Sequence, residues 1–321
     1  MPPMLVFVGR RLGRGIVTLW FAITVTFLLL RLLPGDPITA LATPNMDAAT
    51  RASLLQRYGL DQSLPVQYLK YFEQLLHGDL GISFAQKQPV TDVLLARLPW
   101  TVLLTASALL MTVAVGVPLG VLAATHAKGW LDRIVQVGGV VGQSLFVPSI
   151  GIFLLYMLGL RLGLLPIGGA YEQGVYGMRW YLSVASHLVL PCVSLVLVSL
   201  GSYVLTLRAT LIDTLGEDFC ELARAKGLPN RVVVWKHALR NALLPTTTLL
   251  GLQLGFMVGG AVLTETIFAY PGVGRAIYEA VTRLDFPVLQ GSFLLLAVTV
   301  VAANLVTDLV YGVLDPRVRS T

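Results

Sequence analysis

Six stretches of this chain stay apolar for about 20 residues, the length a helix needs to cross a hydrocarbon layer. They run over roughly 15–33, 100–125, 134–160, 187–207, 242–264 and 288–310. Most carry no charge; Arg31 and Asp308 sit near ends, where a charged group reaches the interface. In lipid the backbone has no water to bond to, so each stretch must close its own hydrogen bonds as a helix. The expected fold is therefore an all-α membrane protein with about six transmembrane helices. Composition excludes the soluble alternative. The chain is 55% apolar and 12% charged, where a soluble domain carries about 25% charge. The net charge of +6 would suggest nucleic acid in a soluble protein. Here it reads as basic loops that orient the chain, and no nucleic-acid partner is expected.

Orientation follows from where the basic residues fall. With the N-terminus inside, the inside segments are about 1–14, 126–133, 208–241 and 311–321. They make up about a fifth of the chain yet hold 13 of its 23 Lys and Arg. Both termini are expected in the cytoplasm, as an even number of spans requires. The first apolar window follows Arg10, Arg11 and Arg14, and Ala40-Leu41-Ala42 resembles a signal-cleavage site. However, the apolar run is longer than a signal core, and Pro34-Gly35-Asp36-Pro37 separates the two, so an uncleaved first helix is expected.

The chain thus divides into a cytoplasmic N-terminus (1–14), a first span (15–33) and an outside loop or cap (34–98). A core of five further spans (99–312) contains the inside loop 208–241, and a short cytoplasmic C-terminus (313–321) follows. The cap shows helical stretches at Asp47 to Tyr58 and Val66 to Leu76. In the inside loop, Leu211, Leu215, Phe219 and Leu222 recur at helical spacing. Gly227 and Pro229 end that helix, since glycine suits the left-handed position past a helix end and proline cannot continue it. Asn230 can cap a second helix, with Val232, Trp235, Leu239 and Leu243 on one stripe and Lys236 and Arg240 on another. Such a pair suits either a stiff knob gripped by a soluble partner or two helices resting on the headgroups.

Polar residues inside spans are expensive and are expected to face the bundle interior. Gln143 and Ser144, Gln253 and Asn304 are such residues, and Glu265 lies at the outer end of the fifth span. They are the candidate pathway residues, interhelical hydrogen bonding being the blander use. Glycines four apart (Gly116 and Gly120; Gly138 and Gly142; Gly251, Gly255 and Gly259) allow close helix approach. The last set is the expected moving interface. Trp100 and Trp180 read as interfacial anchors. The two cysteines, Cys192 and Cys220, form no framework, and the four histidines are scattered, so no metal site is expected. No phosphate-binding G-x-x-x-x-G-K-[ST], H-E-x-x-H or G-x-S-x-G occurs. The chain is therefore not expected to be an enzyme or to bind a cofactor.

Five ordered stretches carry a family resemblance. Ala223-Arg224-Ala225-Lys226-Gly227 and then His237-Ala238-Leu239-Arg240-Asn241-Ala242-Leu243-Leu244-Pro245 resemble the cytoplasmic signature of binding-protein-dependent ABC permeases. Within these, the chain resembles the dipeptide/oligopeptide/nickel family. Leu29 to Pro37, Gly78 to Ser83 with Gln88-Pro89-Val90, Glu265 to Arg275, and Leu314 to Arg319 match other parts of that family in order. Two departures from the general permease motif are Leu222 in place of its middle alanine and the late Leu244-Pro245.

The resemblance implies a type I ABC importer permease in a bacterial inner membrane, passing di- or oligopeptides by alternating access. A nickel or metal-chelate cargo is the alternative. It implies a second homologous permease, two ATPase subunits carrying ATP and Mg, and an extracytoplasmic substrate-binding protein as partners. Residues 221–227 would form part of the coupling helix. Glu221, Ala223, Ala225, Gly227, His237, Arg240, Asn241 and Pro245 are the implied ATPase-coupling residues. Glu221 could equally pair with Arg224 on the helix surface. An ion-gradient transporter is the rival from another class; the span centres lack the ionisable residues it would need.

Overall fold

A computed structural model describes residues 3–32 and 61–314. The expected helix at Asp47 to Tyr58, the Pro34–Pro37 segment and residues 315–319 of the C-terminal motif lie outside the described residues. The described chain is helical apart from turns and one isolated antiparallel bridge, Ile82 to Pro89. Its helices are α1 (Pro3–Leu32), α2 (Leu64–Leu76), α3 (Val90–Thr125), α4 (Trp130–Ser144) and α5 (Val147–Leu154). Then come α6 (Met178–Leu215), α7 (Asp218–Ala225), α8 (Leu239–Ile267), α9 (Val273–Thr282) and α10 (Phe286–Leu314). A π-helical stretch, Leu155–Arg161, extends α5. Another, Val233–Ala238, joins the short turn Asn230–Val232 to α8 without leaving helical backbone geometry.

α3, α6 and the Phe286–Leu305 part of α10 are each long and apolar enough to cross a bilayer. α4 and α5 pass that test only as a bent pair. The window 134–160 is thus not the single straight span the apolar run suggests: its two halves meet at 101°. Leu145 and Phe146 are extended, and Pro148, which has no N–H to donate, sits in the first turn of α5. α1 has a shorter apolar stretch, Gly13–Leu29. α8 has 29 residues, and many side chains in its middle, Gln253 and Gly259 among them, lie outside the described set.

Hydrophobic force does not hold helices together in lipid, so close contact must, and small residues permit it. α6 is the centre of that contact. A Cβ at Gly116 would lie 2.5 Å from the Tyr203 ring, and one at Gly120 2.9 Å from Leu207. These two glycines of α3 therefore seat two large side chains of α6. On its other side α6 meets α4 backbone to backbone. A Cβ at Gly201 would lie 2.2 Å from the Gly139 carbonyl oxygen, and one at Gly142 2.8 Å from the Leu197 carbonyl oxygen. The expected pair Gly138 and Gly142 is therefore corrected to Gly139 and Gly142, because Gly138 has nothing within 4 Å. In α8, Gly255 makes only an ordinary contact, 3.8 Å to Val300, so among the described glycine contacts the tight seam belongs to α6.

Two buried clusters close the ends of the bundle. At one end Val121 and Ala124 of α3 and Tyr203, Leu207 and Leu211 of α6 pack with Cys220, Ala223, Val233, Val234, Ala238, Leu239 and Ala242. At the other, Val90 and Leu94 pack with Val273, Ala276, Ile277, Ala280, Val288 and Leu289. Gly201→Val should break the seam, because both partners are backbone and neither can rotate away; the expected cost is about 1–3 kcal/mol. Gly138→Ala should be neutral within about 0.5 kcal/mol. Thermal unfolding of the two purified variants in detergent measures the contrast.

Candidate functional site

The short helix α7 is the first half of the 208–241 loop, but it begins later than its periodicity suggests. Leu211 and Leu215 belong to α6, which runs on to Leu215 before a corner at Gly216 and Glu217. This resets the helical phase. Cys220 and Ala223 face the buried cluster, while Phe219 and Leu222 are exposed at 37% and 56%. The small Ala223 therefore allows close packing within the chain. Glu221, Ala225 and Gly227 lie on the exposed side.

The end of α7 matches its sequence signals. Gly227 has φ +79°, its N–H donates to the Arg224 carbonyl (2.9 Å), and the Leu228 N–H donates to the Ala223 carbonyl (3.3 Å). This is a Schellman stop, which satisfies two carbonyls that would otherwise lack partners. Pro229 takes the position before the next helix, so Asn230 is its first residue and makes no side-chain cap. Arg224 does not pair with Glu221; it donates to the Leu215 carbonyl (3.2 Å), closing the end of α6. Burial pushes the Cys220 thiol above its ordinary range, with Arg224 acting against this and Glu217 with it.

The second half departs from its expected stripe for a definite reason. Val233–Ala238 is π-helical, which widens the turn and shifts each later side chain around the axis. Val233, Val234, Ala238 and Leu239 become the buried face, and Trp235 is 48% exposed. His237 is half-buried, whereas Arg240, Asn241 and Pro245 are exposed. The Thr210 hydroxyl donates to the Ala242 carbonyl (3.2 Å), tying α6 to α8. The eight candidate coupling residues thus lie on two consecutive helical segments parted at Gly227–Pro229, a knob whose rear is core. Its front combines Phe219, Leu222, Leu228 and Trp235 with charged residues of both signs.

The candidate pathway residues do not come together. Gln143 and Ser144 are exposed at the bend between α4 and α5, the Ser144 hydroxyl donating to the Val140 carbonyl (2.9 Å). Asn304 is exposed in a groove of ≈ 450 Å³ between α1 and α10, beside Arg14 and Thr18. The expectation that these polar groups face the interior of this chain's own bundle is corrected for all three. The Gln253 side chain is outside the described residues. Glu265 is wholly buried about 35–40 Å along the helix from Arg240. Its carboxylate accepts from the Thr101 hydroxyl (2.6 Å) and the Arg275 backbone N–H (3.0 Å). It fills a cradle that Gly272 and Gly274 leave open, since a Cβ on either would strike the carboxylate. Glu265 therefore anchors the start of α9.

Sequence reasoning missed the rest of this second end. Asp285 is buried and accepts from the Ser83 hydroxyl (2.5 Å) and the N–H groups of Phe84 and Ala85. It pins the Gly78–Val90 hairpin to the start of α10. Trp100 stacks on Tyr171 (5.7 Å) and meets Tyr270 edge-on (6.0 Å), so it braces a loop rather than standing alone as an anchor. Arg97 donates to Glu279 (2.7 Å), which also pairs with Arg275 (2.9 Å). The Ser83 position inside the Gly78–Ser83 match was the one available signal.

The comparisons with known proteins bear on both ends. The profile described as binding-protein-dependent transport system inner membrane component matches residues 116–320. A companion profile for the N-terminal part of such membrane components matches residues 4–105. The chain belongs to this family. Its dipeptide/oligopeptide branch is shown by the dipeptide transport system permease protein DppB of Escherichia coli (strain K12), 37% identical over 98% of this chain and 99% of that one. The di/tripeptide transport system permease protein DppB of Pseudomonas aeruginosa is 36% identical over the same shares. The glutathione transport system permease protein GsiC of Salmonella paratyphi A is 35% identical, again over 98% and 99%. An inward-facing structure of the MetNI methionine ABC transporter has the same fold. Its TM-score is 0.56 at 16% identity, covering 70% of this chain and 96% of that one. The chain is thus an inner-membrane ABC importer permease component, a family defined by a membrane role rather than catalysis. Its family works with ATPase and substrate-binding partners.

Burial opposes ionisation of Glu279, yet Arg97 and Arg275 hold its carboxyl below the ordinary glutamate range. A depressed carboxylate stabilises fully above its unfolded value, and that stabilisation is lost as pH falls through the folded value. The difference in melting temperature between the wild type and Glu279→Gln should therefore hold between about pH 5 and 8 and close below about pH 4. At the knob, Gly227→Ala should cost about 1 kcal/mol through its positive φ. The check is hydrogen exchange of the 218–228 amides, expected about fivefold faster.

Proposed function

We propose that this chain is one permease subunit of an ATP-driven importer that passes di- or oligopeptides through the inner membrane by alternating access. The observation that carries this reading is 37% identity over nearly the full length of a dipeptide permease. The knob supports it independently. Phe219, Leu222, Leu228 and Trp235 are exposed on a loop rich in charge, where this chain's own core does not cover them. A soluble partner that buries them gains apolar contact, and the firm rear of the knob passes force to α6 and α8. In this reading the partner is an ATPase, with ATP and Mg bound there and no cofactor bound by this chain.

The chain crosses the membrane six times with both termini in the cytoplasm, and 208–241 is the cytoplasmic coupling loop. The outward-facing Gln143, Ser144 and Asn304 suit a pathway shared with a second permease subunit rather than one enclosed by a single chain. The binding protein delivers peptide to the α9 end, where the Arg97–Glu279–Arg275 cluster and the Asp285-pinned hairpin shape the surface.

Uptake of a labelled dipeptide into proteoliposomes holding the complete importer should need ATP and should stop with vanadate; uninhibited uptake would sink the ATP-driven reading. Leu222→Glu combined with Trp235→Glu should lower uptake at least about tenfold, because a buried unpaired charge costs more than 1.4 kcal/mol at each site. Both residues are exposed in the free chain, so the amount inserted in the membrane should match wild type.

A further inference from the structure

Asp132 is 1% exposed in the first turn of α4, and no role above uses it. Its carboxylate receives both Nε and Nη2 of Arg208, the latter at 2.7 Å. The Lys128 N–H donates to the same carboxylate at 2.8 Å. Arg208 stands on α6, two turns before the corner that carries α7, or about 10 Å along the helix. A forked guanidinium–carboxylate pair fixes orientation as well as distance. It therefore restrains α4 from rolling on α6.

Both neighbours of α4 in the chain meet it at a change of direction. It is joined to α3 by a short turn through Lys128, which has positive φ, and to α5 by a 101° bend. Its close lateral contacts lead to α6: the Arg208 fork at one end and the Gly139 and Gly142 seam further along. The buried location adds a second property. Separating the pair would leave the 1%-exposed Asp132 without its guanidinium, which is itself 19% exposed, so opening the joint costs a charge-assisted hydrogen-bonded pair.

We propose that the Asp132–Arg208 pair is the joint that carries movement of the knob into the bent α4–α5 span. Both residues are positioning residues: the joint asks no contact with cargo or nucleotide of them. The proposal rests on the ATP-driven reading above.

The test uses the complete importer in proteoliposomes. Wild type must first show vanadate-sensitive dipeptide uptake; failure there removes the ATP-driven reading and says nothing against the joint as such. Arg208→Lys keeps the charge but loses the fork. It should lower peptide taken up per ATP hydrolysed at least about fivefold, with membrane insertion and nucleotide-driven ATPase rate retained. The exchange Asp132→Arg with Arg208→Asp should recover part of that ratio, which also covers the case in which a single variant folds poorly. Spin labels at Ile134 and Asp213, both exposed, report the joint directly; the native cysteines are buried. Their separation in wild type should change by less than about 3 Å between nucleotide-free and ATP-trapped states, and its distribution should broaden in Arg208→Lys. A larger wild-type change, or Arg208→Lys with an unaltered uptake ratio, overturns the proposal.

Discussion

Lipid offers no hydrophobic reward for pressing two helices together, so α6 must be held by contact distance. Four glycines, Gly116 and Gly120 on one side and Gly139 and Gly142 on the other, let neighbouring helices come that near. Gly201 supplies the matching gap on α6 itself. With α3 and α4 seated against it, α6 becomes a stiff rod running past the apolar zone to Leu215. The knob depends on this rod, because Cys220, Ala223, Val233 and Val234 are buried only where α6 and α3 provide Leu207, Leu211 and Val121.

The two ends of the molecule solve different problems. At the α7 end, an amphipathic element keeps its apolar rear in the core and leaves an apolar front uncovered, which suits a partner that docks from water. At the α9 end, buried carboxylates are matched to donors. Glu265 takes a hydroxyl and a backbone N–H, and Asp285 takes a hydroxyl and two backbone N–H groups. A buried carboxylate left unpaired would be costly, so each of these holds its loop in one arrangement. The result is a tightly clasped surface at the α9 end and a knob with an open apolar front at the α7 end, linked by helices long enough to reach between them.

Helical character and membrane embedding could be read from apolar run length, and the Gly227–Pro229 stop from residue type, because both rest on local chemistry. The faces of the two knob helices could not. A corner at Gly216 and a π-helical turn at Val233–Ala238 each shift the phase of the side chains that follow. Uniform 3.6-residue spacing therefore put Phe219, Leu222 and Trp235 on the wrong side. Similarly, polarity inside an apolar run marked Gln143, Ser144 and Asn304 as unusual, but whether they face this chain or another depends on neighbours that a linear pattern does not contain. Asp132 and Asp285 escaped notice because their partners are 76 and about 200 residues away.

Taken alone, the amino-acid order determined the solvent, the helical class, the family and the Gly227–Pro229 break in the 208–241 loop. Each follows from run length, from the conformational limits of glycine and proline, or from an ordered set of short matches. Tertiary structure decided which glycines touch, where the third apolar run bends, and which carboxylates are clasped. Those outcomes turn on ångström-scale distances between segments remote along the chain, and a periodic pattern carries direction around one helix but no distance to the next.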